Sequence, residues 1–118
     1  MTSTPYADAL NATRQQYPFD RWREFYQEPE EKQGCDAVQS IFDTLVAGLI
    51  ALGPTASEAD KKQLFQQAIE ATNDHEDIIE TGEREDLCEL TNTITTACGL
   101  EPADYGDGEE LASEWREW

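Results

Sequence analysis

Val38-Gln39-Ser40-Ile41-Phe42-Asp43-Thr44-Leu45-Val46-Ala47-Gly48-Leu49-Ile50-Ala51-Leu52 decides the fold. Val38, Ile41, Phe42, Leu45, Val46, Leu49, Ile50 and Leu52 recur at the 3.6-residue period of an α-helix and trace a broad apolar face. The later half is apolar almost all round, which predicts a central helix over 30–52, buried on several sides. Gly34 falls near its start, where a glycine costs little. Gly48 lies inside it and predicts the close approach of a neighbouring helix. Gly53-Pro54 ends it, with glycine as a left-handed cap and proline as the stop.

Working outward, Pro5 after Ser3 and Thr4 opens a short helix over 5–16, with Tyr6, Ala9, Leu10 and Thr13 on one side. Tyr17-Pro18 interrupts it, because the residue before a proline avoids the helical region. In the run from Phe19 to Tyr26, Phe19, Trp22 and Tyr26 recur at helical spacing, interleaved with Arg21 and Arg23. Such a mixture can bind nucleic acid. Two arginines in a chain of net charge −18 favour instead an aromatic plug over the core, with the arginines paired to nearby acids.

Beyond the central helix, Ser57 to Asp60 resembles a capping pattern. It opens a helix with Leu64, Phe65, Ala68, Ile69 and Thr72 on its apolar stripe, and with Lys61, Lys62, Gln66 and Gln67 toward water. This helix stops near Asn73. Residues 81–86 are expected to form a loop and N-cap, followed by a helix with Leu87, Leu90, Ile94 and Ala97 inward and Gly99 as its cap. Four threonines (Thr91, Thr93, Thr95, Thr96) lower its intrinsic propensity, so packing must hold it. Residues 102–108 form a loop. Residues 109–118 close the chain as a short helix with Leu111, Trp115 and Trp118 on one side. No two-residue alternation bounded by turns occurs. The expected fold is all-α: one domain over 1–118, a compact four- or five-helix bundle with a short C-terminal helix.

Charge is distributed unevenly. Residues 73–118 hold fifteen acids against Arg84 and Arg116, a net of −13, whereas residues 1–72 hold eleven acids and six bases, a net of −5. Such asymmetry speaks to partners rather than to fold. The N-terminus lacks the pattern of a signal peptide, and the apolar run Leu45–Leu52 is too short to span a bilayer. A soluble, cytoplasmic protein with no membrane contact is expected. Three cysteines without a C-x-x-C suit thiols in a reducing compartment. Cys88 and Cys98, ten residues apart in one helix, lie ~15 Å from each other and beyond disulfide reach.

Catalytic motifs are missing. The chain has no G-x-S-x-G, no phosphate loop and no dinucleotide fingerprint. His75, the sole histidine, has Glu76 and Asp77 as sequential neighbours rather than as one helical face, so no metal site is expected. Residues 104–110 do not follow the ligand order of a calcium loop. No cofactor is expected and the chain is read as a non-enzyme. A small metal-binding or enzymatic regulator using His75 and Cys88 is the alternative of another class.

The acidic surface has three readings: a solubilising face, halophilic adaptation, or the complement of a cationic cleft on another protein. In the third, charge speeds encounter and aromatics hold the complex. The partner-binding candidates are Asp74, Glu76, Asp77, Glu80, Glu83, Asp104, Tyr105, Asp107, Glu109, Glu110, Glu114 and Trp118. Reversing Glu109, Glu110 and Glu114 is expected to slow association. Trp118, if exposed, would act as an anchor, while Trp115 would dock the last helix.

The segment from Glu80 through Cys88 to Gly99-Leu100-Glu101, with a tryptophan near the terminus, resembles an uncharacterised family of small helical bacterial domains. In size, acidity and helicity the chain also resembles bacterial immunity proteins that neutralise toxic nucleases or other effectors. It departs from the colicin-immunity pattern in its longer chain and in lacking the paired tyrosines. The resemblance implies an inhibitor of one basic toxin. The runner-up is a phage-type nucleic-acid mimic (anti-restriction or anti-CRISPR) whose carboxylates stand in for phosphates and which binds no nucleic acid itself.

Overall fold

The computed structural model describes residues 5–108 and 110–118. Five α-helices appear: α1 (Pro5–Ala12), α2 (Phe19–Phe25), α3 (Pro29–Leu52), α4 (Glu58–Thr72) and α5 (Thr81–Ala97). Short 3-10 turns join or follow them, at Thr13–Gln16, Asn73–Ile78, Pro102–Asp104, Gly106–Gly108 and Leu111–Glu114. No strand occurs among the described residues, and the class is all-α. The Cα trace fills a slab of 42 × 38 × 17 Å.

The central helix lies where its periodicity puts it. Cys35, Val38, Phe42, Leu45, Val46 and Leu49 of α3 are buried, and α1, α2, α4 and the Asn73–Ile78 turn pack on it. By length and composition alone α3 could cross a membrane, with a mean hydropathy of 1.5 over an 18-residue window, but here those six side chains form the centre of the core. This differs from the expectation drawn from Leu45–Leu52, because the helix extends well beyond that run. Two glycines set its distances to neighbours. A Cβ on Gly48 would stand 3.1 Å from Leu64 Cδ1 of α4, the close approach expected there. A Cβ on Gly34 would stand 3.0 Å from Ile78 Cδ1, so that glycine seats the 3-10 turn rather than merely being tolerated.

Phe19, Trp22 and Tyr26 plug the core as their spacing predicts, with Phe19 and Trp22 edge to face at 5.2 Å. Arg21 pairs with Asp86, and Arg23 with Asp20 and Asp36. Ser57 caps α4 by accepting the Asp60 amide. At the end of α5, Leu100 N–H reaches Thr95 O and Gly99 N–H reaches Thr96 O, the paired bonds of a Schellman motif, with Gly99 at φ +90.

Three local expectations are corrected. Residues 81–86 are already helical, because Glu83 accepts the Glu80 amide at 3.3 Å and moves the cap back to Glu80. Lys61 does not face water: it is buried, donating to Cys98 O at 2.8 Å and Pro54 O at 3.2 Å. The C-terminal segment is no α-helix but a 3-10 turn over Leu111–Glu114 followed by irregular chain. Its path is set by hydrogen bonds to Thr72 and Asn73 rather than by its own periodicity.

Candidate functional site

The 3-10 turn Asn73–Ile78 leaves α4 with Ile78 and the following Ile79 buried, which forces Asp74, Glu76 and Asp77 outward. All three are exposed and form no ion pair or side-chain hydrogen bond among the described residues. Glu80, exposed, follows at the cap of α5. His75 is half-buried at the kink of this turn, with φ −120 and ψ 23.

Asn73 ties the second acidic stretch to the first. Its side-chain amide donates to Trp115 O at 3.0 Å and to Glu117 Oε2 at 3.2 Å, and its Oδ1 accepts the Glu117 amide at 2.9 Å. Trp118 Nε1 donates to Thr72 Oγ1 at 2.9 Å. Glu117 thereby joins Asp74, Glu76, Asp77 and Glu80 at the C-terminal end of α4. At its other end, the Tyr105 hydroxyl donates to Glu58. The described residues of the segment, 102–108 and 110–118, therefore run along α4 as a strap, and the rise of α4 separates its two ends by ~20 Å.

Several expected contact residues take other places. Tyr105 is buried, with Lys62 Nζ 5.3 Å from its ring, so it packs the interior and is not a surface anchor. Burial and the bond to Glu58 push its phenol well above the ordinary 10.0. Trp118 is half-buried and hydrogen-bonded, docked as Trp115 was expected to be. Glu114 pairs with Lys62 at 3.2 Å. Glu83 accepts the Tyr26 hydroxyl at 2.5 Å. Glu110 is half-buried and holds a positive φ of 86. Asp104 is exposed, but at the far end of the strap. Glu109 and the side chain of Asp107 lie outside the described residues.

The basic side chains, by contrast, are largely spent inside. Arg14, Arg21, Arg23 and Lys62 sit in ion pairs, Lys61 holds two carbonyls, and Arg116 donates to Trp118 O. The cationic side chains thus pair with Asp20, Asp36, Asp43, Asp86 and Glu114 and, among the described residues, with none of the acids of the 74–80 stretch.

Cys35, Cys88 and Cys98 are free thiols. The charged groups around Cys88 are Arg116, Glu110 and Arg84 rather than His75, and burial pushes its thiol up, away from the reactive thiolate. Among the described residues no three His, Cys, Asp or Glu side chains converge to hold a metal.

One surface feature escaped the sequence reading. Phe25 is 77% exposed, at the rim of a groove between α2 and the first turns of α5. Its only signal in the sequence was that it falls off the Phe19, Trp22, Tyr26 stripe.

Comparison of the chain with protein-family models, with curated proteins and with solved structures finds no match.

Proposed function

We propose that this protein is a non-enzymatic inhibitor that binds and neutralises a basic partner protein, acting as an immunity protein for a bacterial toxin or effector. One observation carries the proposal: Asp74, Glu76, Asp77 and Glu80 stand exposed and unneutralised beside Glu117, while most of the basic side chains are engaged internally. Among the described residues, exposed carboxylates without an ion pair occur elsewhere too, at Glu24, Glu28 and Glu30 among others, but four of them fall within the seven residues 74–80, beside Glu117, and make a dense local negative field. Opposed fields raise association rates toward ~10⁸–10⁹ M⁻¹s⁻¹ at low salt, which suits an inhibitor that must reach its target before the target acts. The carboxylates would cover a cationic cleft, and the 3-10 turn, seated by the buried Ile78 and Ile79, would hold them at a smaller cost in loop entropy on binding.

The test is affinity capture from the native host at low and high salt. A single basic protein, released by salt, supports the proposal. If duplex DNA or RNA competes for that protein, the target is a nucleic-acid enzyme and the inhibitor works as a nucleic-acid mimic. Recovery of nothing, or of many proteins indiscriminately, returns the acidic surface to a solubilising role.

A further inference from the structure

The groove beside Phe25 is built from two elements distant in sequence. Arg21, Trp22, Phe25 and Tyr26 come from α2 and the residue after it, while Gly82, Glu83, Glu85 and Asp86 come from the first turns of α5. It encloses about 340 Å³ open to solvent. Phe25 stands edge-on to Tyr26, with centroids 5.1 Å apart and planes at 89°.

The walls are fixed by hydrogen bonds. Asp86 Oδ2 accepts from Trp22 Nε1 at 2.9 Å and from Arg21 at 2.7 Å, and the Tyr26 hydroxyl donates to Glu83 at 2.5 Å. The Glu85 side chain is exposed and makes no ion pair or hydrogen bond among the described residues. Nothing lies within 4 Å of the place where a Cβ on Gly82 would stand. A solvated aromatic ring and a free carboxylate therefore share one rigid, open groove holding three carboxylates against one guanidinium.

We infer that this groove receives an arginine side chain of the basic partner, its guanidinium stacked on Phe25 and donating to Glu85. Arginine fits better than lysine, because a flat, weakly hydrated fork can stack and hydrogen-bond at once, whereas an ammonium is a compact and strongly hydrated charge. A second copy of this chain is a poor occupant, since each copy carries −18 and the groove itself is acidic. The inference rests on the proposed binding of a basic protein, and it adds an anchor next to the 74–80 stretch, since the Tyr26 hydroxyl lies 3.3 Å from Ile78 O and Glu83 also accepts the Glu80 amide. Charge there steers the encounter, and Phe25 here holds the complex.

The test titrates the isotope-labelled full chain with a blocked peptide bearing two arginines and with its lysine counterpart, followed by amide chemical shifts. The expected result is shifts at Phe25, Gly82 and Glu85, with the arginine peptide about threefold tighter or more. Phe25→Ala, and independently Gly82→Met filling the groove, should each weaken it about fivefold or more. Shifts confined to Asp74–Glu80 and indifferent to both variants would overturn the arginine site while leaving the proposed function standing. No shift anywhere would count against both. A dimer in sedimentation that Phe25→Ser dissolves would assign the groove to a second copy and overturn the inference.

Discussion

Lys61 is buried where its sequence position on a polar stripe predicts solvent. Its ammonium satisfies the carbonyl of Cys98 at the end of α5 and that of Pro54 in the α3–α4 turn, and it lies 5.2 Å from the centre of the Tyr6 ring. One side chain thus joins α1, α4 and the ends of α3 and α5. Lys61→Met keeps much of the volume but leaves both carbonyls without this donor, so a loss of about 2–3 kcal/mol is expected in urea denaturation. A loss below about 0.5 kcal/mol would mean that water replaces the ammonium. At Glu110 the backbone sits at φ 86 and ψ 165, a region that only glycine enters without strain. Glu110→Gly should therefore stabilise the fold by roughly 0.5–1 kcal/mol, after allowing for the extra freedom of glycine in the unfolded chain. A net loss in the same measurement would show that the Glu110 side chain contributes more than its backbone costs.

Buried phenols and thiols give these residues a collective signature. Tyr17, Tyr26 and Tyr105 are pushed up from 10.0 by burial and then by hydrogen bonds to Asp43, Glu83 and Glu58, and burial raises Cys35 and Cys98 above 9.0. Each folded group keeps its proton where the unfolded one has lost it. The stabilisation is complete below the unfolded values and declines as pH rises through 9 and 10 toward the higher folded values. Stability in urea should be flat from pH 7 to 8.5 and fall steeply above pH 10, less steeply in Tyr26→Phe. A flat profile to pH 11 would contradict the protonated, hydrogen-bonded phenols.

At the scale of elements, the C-terminal strap is the least autonomous part. Asn73 holds it with three hydrogen bonds, and Trp118 with one to Thr72. Asn73→Ala should cost about 1–2 kcal/mol and should free the amides of 111–118 to exchange hydrogen while the α3 amides stay protected. Equal protection in both proteins would show that Leu111 and Ala112, both buried, suffice to dock it. The long helices were legible because burial writes a 3.6-residue period into α3, and because Ser57, Gly53 and Gly99 mark ends that the chain must terminate chemically. The strap was not legible. Leu111, Trp115 and Trp118 also have helical spacing, yet their partners Thr72, Asn73 and Lys62 lie some forty to fifty residues away, and no local pattern encodes them. The start of α5 was misplaced for a related reason: its cap is a glutamate pair, Glu80 and Glu83, in place of the usual serine or aspartate. The threonines of α5 are explained by their surroundings, since Thr91 and Thr95 are buried and return their hydroxyls to the carbonyls of Leu87 and Thr91 at 2.7 Å.

At the scale of the whole molecule, the acidic candidates separate into carboxylates spent on the fold and carboxylates left over. Composition fixes the total charge, but only the tertiary ion pairs decide where it is unbalanced. Glu114, with Lys62, belongs to the first group; Asp74, Glu76 and Asp77 belong to the second. The residues whose reversal should matter most for encounter are accordingly these three, rather than Glu110 and Glu114. The most direct test is the association rate of the captured basic protein, measured against ionic strength, for the wild-type chain and for the variant carrying Asp74→Lys, Glu76→Lys and Asp77→Lys. The expected result is a rate about tenfold lower or more at low salt in the variant, with a flatter dependence on ionic strength and little change in dissociation. Equal association rates and equal salt slopes would contradict the role given to this surface.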